Sequence, residues 1–246
     1  MTVSVIMPAH NSARFIRESI ESVLAQTFRD WELIVADDAS TDGSGDIAGS
    51  YGDPRIRCVR SETNLGSAGA RNLALASATG KFVAFLDSDD LWAPGKLEKQ
   101  LAFMEEIGCA LCATDYVKID GAGKEVSDAI TGPPAVDYRT LLRSNCLACS
   151  SMMADRSVHP DLRMPNLKLN HDYALWLSLL REGGAARRLG EPLMRYRVHP
   201  GSLSRNKIES ARYNWRIYRD LEGLSLFRSF LCMVSFVFRG FRKFMA

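Results

Sequence analysis

Phe82–Val–Ala–Phe–Leu–Asp–Ser–Asp–Asp90 is five apolar residues followed at once by three carboxylates in four positions. An apolar run this short, bounded by turn-forming residues, reads as a strand buried on both faces. Carboxylates so crowded repel one another unless a cation or hydrogen bonds compensate. Hard oxygen ligands at the alternate positions Asp87 and Asp89 suit Mg2+ or Mn2+ holding a diphosphate. A lone Asp-x-Asp is most often a solvated turn. Here the buried strand before it and Leu91–Trp–Ala–Pro94 after it favour a site.

Outward from this stretch, strand and helix signals alternate. Val3–Met7 is a strand ending at Pro8. Ala13–Thr27 puts Phe15, Ile16, Ile20, Val23 and Leu24 on one helical face. Glu32–Ala36 is a strand ending in Asp37–Asp38, and Ile56–Val59 is another. Ser67–Ala78 is helical. Lys96–Ile107 spaces Leu97, Leu101, Met104 and Ile107 as a helix does, and Cys109–Thr114 reads as a buried strand. This pattern predicts βαβ units over residues 1–115, hence an α/β fold with an open, mainly parallel sheet flanked by helices. Ligands of such sheets bind beyond the carboxyl ends of the strands. Pro8–Ala–His–Asn11, Asp37–Asp38 and Asp87–Asp90 are therefore expected to converge. No GxGxxG follows the first strand and no GxxxxGK[ST] occurs, so both common phosphate cradles are missing. A diphosphate must rely on a metal and on donors such as Arg71.

Residues 116–170 are less periodic. Asp120–Gly–Ala–Gly123 and Thr131–Gly–Pro–Pro134 are turns or loops, Asp137–Arg143 is a short helix, and Asp172–Arg181 is a longer one stopped by Gly183–Gly184. Met194–Val198 is a late strand. From residue 206 to 246 the chain reads as amphipathic, basic helices. Tyr213, Ile217, Leu221 and Leu224 share a stripe among Arg212, Arg216 and Arg219. The Phe-rich stretch 224–238 contains Arg228 and is followed by Arg239, Arg242 and Lys243. Apolar bulk beside basic residues predicts a helix lying on a membrane surface; the alternative is a helix packed on the domain or in a dimer.

The near-neutral total of +2 hides an asymmetry. Residues 1–180 carry 17 basic and 24 acidic side chains, whereas residues 181–246 carry 14 and 5. The small total argues against a nucleic-acid partner. The basic end predicts contact with an anionic surface. The N-terminus has no signal-peptide pattern, and no run approaches the ~20 apolar residues a spanning helix needs. A cytoplasmic protein, peripheral on the inner face of the cytoplasmic membrane, is the expectation. Cys109–Ala–Leu–Cys112 and Cys146–Leu–Ala–Cys149 have zinc-like spacing, but no turn residue lies inside either pair, so they read as reduced core cysteines.

Four blocks carry a resemblance. They are Val3–Ser–Val–Ile–Met–Pro–Ala–His–Asn11, Ala36–Asp–Asp–Ala–Ser–Thr–Asp–Gly43, Asn64–Leu–Gly–Ser–Ala–Gly–Ala–Arg–Asn72 and Phe85–Leu–Asp–Ser–Asp–Asp90. Their order and spacing resemble glycosyltransferase family 2. His171–Asp172 with its helix to Arg181, and Tyr196–Arg–Val–His–Pro–Gly–Ser–Leu–Ser204, are similar to its bacterial surface-polysaccharide members, and Tyr213–Asn–Trp–Arg–Ile–Tyr–Arg219 more loosely resembles the teichuronic-acid and O-antigen type. The resemblance implies a GT-A fold, with a nucleotide-sugar-binding half at 1–115 and an acceptor-binding half at 116–205. It implies inverting transfer from a nucleotide-diphosphate sugar, usually a UDP-sugar, to a nascent glycan or a polyprenyl-diphosphate-linked acceptor. Pro8, Ala9, His10, Asn11, Asp38, Gly69, Arg71, Asp87 and Ser88 are then the donor-binding residues. Asp87 and Asp89 are the Mn2+ or Mg2+ ligands, joined by His199, and Asp172 is the catalytic base.

The chain departs from the family in placing His171 where Glu is usual and His10 where Tyr or Phe is common. It lacks QxxRW, which argues against the processive synthases. The competing function is a non-catalytic sugar-nucleotide binder or assembly protein of the same fold. A nucleotidyltransferase would need a Gly-rich activating loop after the first strand, and a hydride-transfer enzyme would need the missing fingerprint.

Overall fold

The computed structural model describes residues 2–201 and 207–245, with the backbone alone at Lys207 and at 239–245. Nine strands form one mixed sheet among the described residues. They are β1 (Val3–Ala9), β2 (Trp31–Asp38), β3 (Ile56–Ser61), β4 (Phe82–Phe85), β5 (Leu91–Trp92), β6 (Leu111–Ile119), β7 (Ala135–Val136), β8 (Met153–Asp155) and β9 (Ala186–Arg197). The helices are α1 (Ile16–Leu24), α2 (Ser44–Gly49), α3 (Gly66–Ala76), α4 (Lys96–Ile107), α5 (Tyr138–Arg143), α6 (His171–Arg181), α7 (Lys207–Arg216) and α8 (Leu226–Met245).

The order β3-β2-β1-β4-β8-β6-β9-β5, with β7 beside β9, has a parallel half and a mixed half. β3, β2, β1 and β4 run parallel, whereas β8 enters antiparallel between β4 and β6. The chain winds outward from β1 to β3, then returns to the other side of β1 as β4. That reversal opens a crevice between the carboxyl ends of β1 and β4. Pairing of these two strands stops at Ile6 and Phe85. Pro8, which has no N–H to give, lies just past that point, where β4 no longer needs a donor.

Alternation along the strands builds two cores. Val3, Val5, Met7, Leu33 and Val35 face α1 and α4, which contribute Ile16, Ile20, Val23, Leu97, Leu101 and Met104. Ile6, Ile34, Ala36, Val83 and Phe85 face the other way, towards α3, α5 and α6. On that side Trp176 of α6 meets Phe85 edge-on, with ring centroids 5.3 Å apart.

Several boundaries differ from the sequence reading. β9 begins at Ala186, eight residues before the predicted Met194, and runs through Gly190–Glu–Pro192. Those breakers are tolerated because the register with β6 shifts on both sides of Asp115, and Pro192 lies opposite it. The predicted strand at Cys109 starts at Leu111. α2, β5, β7 and β8 carry too few residues for periodicity to reveal. All six cysteines are free thiols. Burial pushes Cys112 up to about 11, so it is a protonated core residue. The Ser202–Ser204 part of the late motif, the boundary at 206 and the side chains of Arg239, Arg242 and Lys243 lie outside the described residues.

Candidate active site

The ends of β1 and β2 are laced together by their loops. His10 donates from Nδ1 to the Asp38 carbonyl at 2.6 Å. Its other ring nitrogen then accepts from the Asn64 amide at 3.2 Å. Asn11 takes φ 50° and accepts from Thr41 N at 2.9 Å. Ala39 (φ 54°) and Asn170 (φ 58°) also occupy the left-handed region, so the non-glycine backbone strain gathers around this end of the sheet.

The two neighbouring aspartates differ. Asp37 is fully buried and pairs with Arg60 at 2.7 Å. A Cβ on Gly45 would fall 2.3 Å from that pair, so glycine makes room for it. Asp38 accepts from Leu65 N at 2.6 Å, with Leu65 just before α3. A Cβ on Gly69 would come 2.5 Å from Leu65 Cβ. Gly69 thus lets Leu65 settle where Asp38 can reach it. Pro8 and Ala9 are buried beside Ala36 and Asp37 in register.

The acidic turn is held from three directions. Arg71, buried on α3, donates to Asp87 and through its other nitrogen to His171. Ser150 sits in a short 3-10 turn (Cys149–Ser151) and is buried. Its hydroxyl accepts from Asp87 N at 3.0 Å and donates to Asp90 Oδ2 at 2.6 Å. Arg197, at the end of β9, donates its backbone N–H to Asp90 at 2.9 Å and its Nε–H to the Asp89 carbonyl at 2.7 Å. Ser88 turns its hydroxyl to Ser12 at 2.8 Å.

Asp87, Asp89 and Asp90 each place a carboxylate oxygen within 4.8 Å of the others. Burial and the Asp87 charge raise Asp89 above the usual carboxylate range, and burial with both neighbours raises Asp90 further. Three hard oxygens, two of them partly exposed, fit a hard divalent cation. Asp90 is buried and bonded to Ser150 and Arg197, whereas Asp87 and Asp89 are partly exposed, so these two are the ones that could reach a cation. His199 lies behind Asp89. Its Nδ1 accepts from Gly201 N at 3.2 Å, so Nε2 carries the proton and donates to Asp89 at 3.0 Å. Phe15 packs on the ring at 4.8 Å.

α6 presents Asp172 in its first turn. Burial raises its pKa, partly offset by Arg71. His171 beside it is driven down to about 3 by burial and by the Arg71 charge. A neutral imidazole accepting from Arg71 satisfies both. Arg71 therefore ties the acidic turn to the helix that carries Asp172.

Arg71, Asp87, His171 and Asp172 come together, as do Asp89 and His199. His10, Asn11 and Asp38 form a second group. Sequence reasoning missed Ser150 and Arg197. Arg197 stands two residues before His199 in the quoted late motif. Ser150 had no signal beyond the cysteine pair it adjoins.

A family model, Glycosyl transferase family 2, matches residues 4–160. TuaG of Bacillus subtilis, named for teichuronic acid biosynthesis, is 40% identical over 98% of this chain and 96% of its own. WfaP of Escherichia coli, a UDP-Glc:α-D-GlcNAc-diphosphoundecaprenol β-1,3-glucosyltransferase, is 34% identical over 98% of this chain and 94% of its own. The fold also matches S. aureus TarS with UDP, at TM-score 0.72 and 24% identity, over 98% of this chain and 72% of that one. A Pyrobaculum calidifontis mannosyltransferase with GDP-Man and Mn2+ matches at TM-score 0.69 and 20% identity, over 95% and 68%. With a GT-A-type sheet, the family blocks at its carboxyl edge and a relative matched nearly end to end, the chain belongs to glycosyl transferase family 2.

Proposed function

We propose that this chain is a metal-dependent, inverting glycosyltransferase that moves a sugar from a UDP-sugar to a hydroxyl of a lipid-linked or nascent glycan in bacterial surface-polysaccharide synthesis. Pro8, Ala9, His10, Asn11 and Asp38 line the nucleotide end of the crevice. Gly69, Arg71, Asp87 and Ser88 border its diphosphate and sugar end. Asp87 and Asp89 would hold Mn2+ or Mg2+, and His199 orients Asp89. The ion, when bound, supplies positive charge against the negative charge of a diphosphate leaving group. Asp172 takes the proton of the acceptor hydroxyl as its oxygen bonds to the anomeric carbon. The bond from that carbon to the diphosphate oxygen breaks, and its electron pair leaves with the UDP. General-base help of this kind contributes ~10²–10⁴-fold. The elevated pKa of Asp172 makes it a stronger base than an exposed carboxylate.

The observation that carries this reading is the position of Arg71, which touches Asp87 and His171 at once. It sets the base helix against the acidic turn, as a transfer between donor and acceptor requires. The undecaprenyl-linked acceptor in the name of WfaP supports a lipid-linked acceptor, and the basic C-terminal segment supports a place on the inner face of the cytoplasmic membrane.

Thermal stabilisation by UDP, GDP and NAD, each with and without Mn2+, tests the donor site. A ligand at ~100 times its dissociation constant adds ~2.7 kcal/mol. A Mn2+-dependent shift with UDP is expected. A shift with NAD alone, or with none of the three, overturns the donor assignment.

A further inference from the structure

α8 is apolar on two sides. Ser229, Cys232, Met233 and Phe236 face the body, at the i, i+3, i+4, i+7 spacing of one helical face. Phe236 lies 6.5 Å, ring to ring, from Tyr173, the neighbour of Asp172 on α6. The opposite face presents Phe227, Phe230, Leu231, Val234, Val237 and Phe238, each between 43% and 71% exposed. A helix docked on its domain normally turns polar residues outward. Here an apolar stripe of seven residues, Leu226 included, faces away from the protein.

Charge identifies the occupant. Residues 226–245 contain Arg228, Arg239, Arg242 and Lys243 and no acidic residue. Arg228 is exposed beside the apolar stripe, and Arg212 and Arg216 of α7 are exposed as well. Two copies meeting through α8 would set like charges against each other. An anionic lipid surface takes the apolar stripe into its acyl boundary and the cations at its headgroups. No described helix is long and apolar enough to cross a membrane, which leaves the surface mode.

We propose that the outer face of α8 seats on an anionic lipid surface while its inner face stays packed on α5 and α6, holding the first turn of α6 beside the membrane. The benefit to catalysis rests on the glycosyl-transfer reading; the lipid contact does not. Because α8 does not leave the body, the donor site should be indifferent to changes on its outer face.

The test compares the full chain with the triple variant Phe227→Ser, Phe230→Ser, Leu231→Ser, by sedimentation with phosphatidylglycerol/phosphatidylcholine vesicles and with phosphatidylcholine alone. The unaltered chain should partition to the anionic vesicles, less so as salt rises. The variant should lose about tenfold or more of that partition, with its melting temperature and its Mn2+–UDP shift retained. Equal partition of variant and parent overturns the proposal. So does a parent that ignores both vesicles yet is a dimer that the variant dissolves. Hydrogen exchange in α5, which α8 covers, should not rise on vesicle binding; a rise means that the helix peels away, and also overturns it. Loss of the UDP shift in both proteins, with vesicle binding intact, would count against the donor reading alone.

Discussion

Arg71 is buried, yet its side-chain partners are one carboxylate, one neutral ring and the Ser67 hydroxyl. A glutamate at 171, usual in the family pattern, would add a second anion there. His171 instead adds no charge, so Asp172 has the Arg71–Asp87 pair nearby and no further anion beside it. His171→Glu should raise the Asp172 pKa, because a like charge disfavours ionisation. The acid limb of the pH–rate profile, where the base must lose its proton, should then move to higher pH; an unmoved limb would separate His171 from the base. Asp172→Asn should abolish transfer and keep the Mn2+–UDP thermal shift, whereas Asp89→Asn should lose the shift itself. Ser150→Ala removes one bond from each end of the acidic turn and leaves the Asp90 carboxylate short of a donor. It should cost ~1–3 kcal/mol of stability and raise the Mn2+ needed for the UDP shift about tenfold or more. A stability loss with unchanged Mn2+ demand would make Ser150 a packing residue only. That Asp87 and Asp89 follow a buried strand and that Asp172 opens a helix was legible from the sequence, because strand ends and helix starts advertise themselves; the role proposed for Asp172 came from the family pattern. Ser150 and Arg197 were not, since each reaches the turn from 60 or more residues away.

Among the elements, β2 shows how a buried charge can set local stability. Glu32 accepts from Ser4 on β1 at 2.7 Å and from both Thr79 donors before β4 at 2.6 and 2.7 Å, and it pairs with Arg57 at 2.5 Å. Burial alone would raise its pKa, but these donors outweigh it and bring it down to about 2. A carboxyl depressed on folding stabilises fully above its unfolded pKa, here near 4.5. That contribution, about 3 kcal/mol, is lost as pH falls from there towards 2. Urea midpoints between pH 6 and pH 3 should therefore drop more steeply for the parent than for Glu32→Gln. Parallel slopes would remove Glu32 from the acid transition. The same region shows why helix ends were read imprecisely. α1 was expected from Ala13 and begins at Ile16, because Ser12, Ala13 and Ser44 are occupied in joining the two loops. Loop-to-loop bonds of this kind have no periodicity.

At the scale of the molecule, the C-terminal segment is part of the core. Tyr218, in the π-helical turn after α7, donates to the Leu142 carbonyl at 2.8 Å, and Tyr173 donates to Leu141 at 3.1 Å. Glu222 takes bonds from Tyr138 at 2.6 Å and from Arg181 at 2.8 Å, fastening the segment to α5 and α6. Removing residues 224–246 would uncover this wall as well as any lipid contact. The deletion should lower the melting temperature by several degrees and promote aggregation, where the outer-face triple variant does neither. Equal melting temperatures for deletion and parent would mean that α8 is a free appendage.

Short apolar runs ended by polar turns, with helical spacing between them, determined the parallel half of the sheet, the positions where its strands end and the carboxylates gathered there, because burial and turn chemistry act over a few neighbouring residues. The amphipathic, basic character of the C-terminal end was equally plain, for the same local reason. Tertiary structure alone decided that β8 enters between β4 and β6, that Arg71 reaches both Asp87 and His171, and that Ser150 and Arg197 clamp the acidic turn. It also decided that α8 packs on α6, the helix that carries Asp172, while leaving a second apolar face outside. Those are contacts between residues far apart in the chain, and they exist only once the two cores have closed on either side of the sheet.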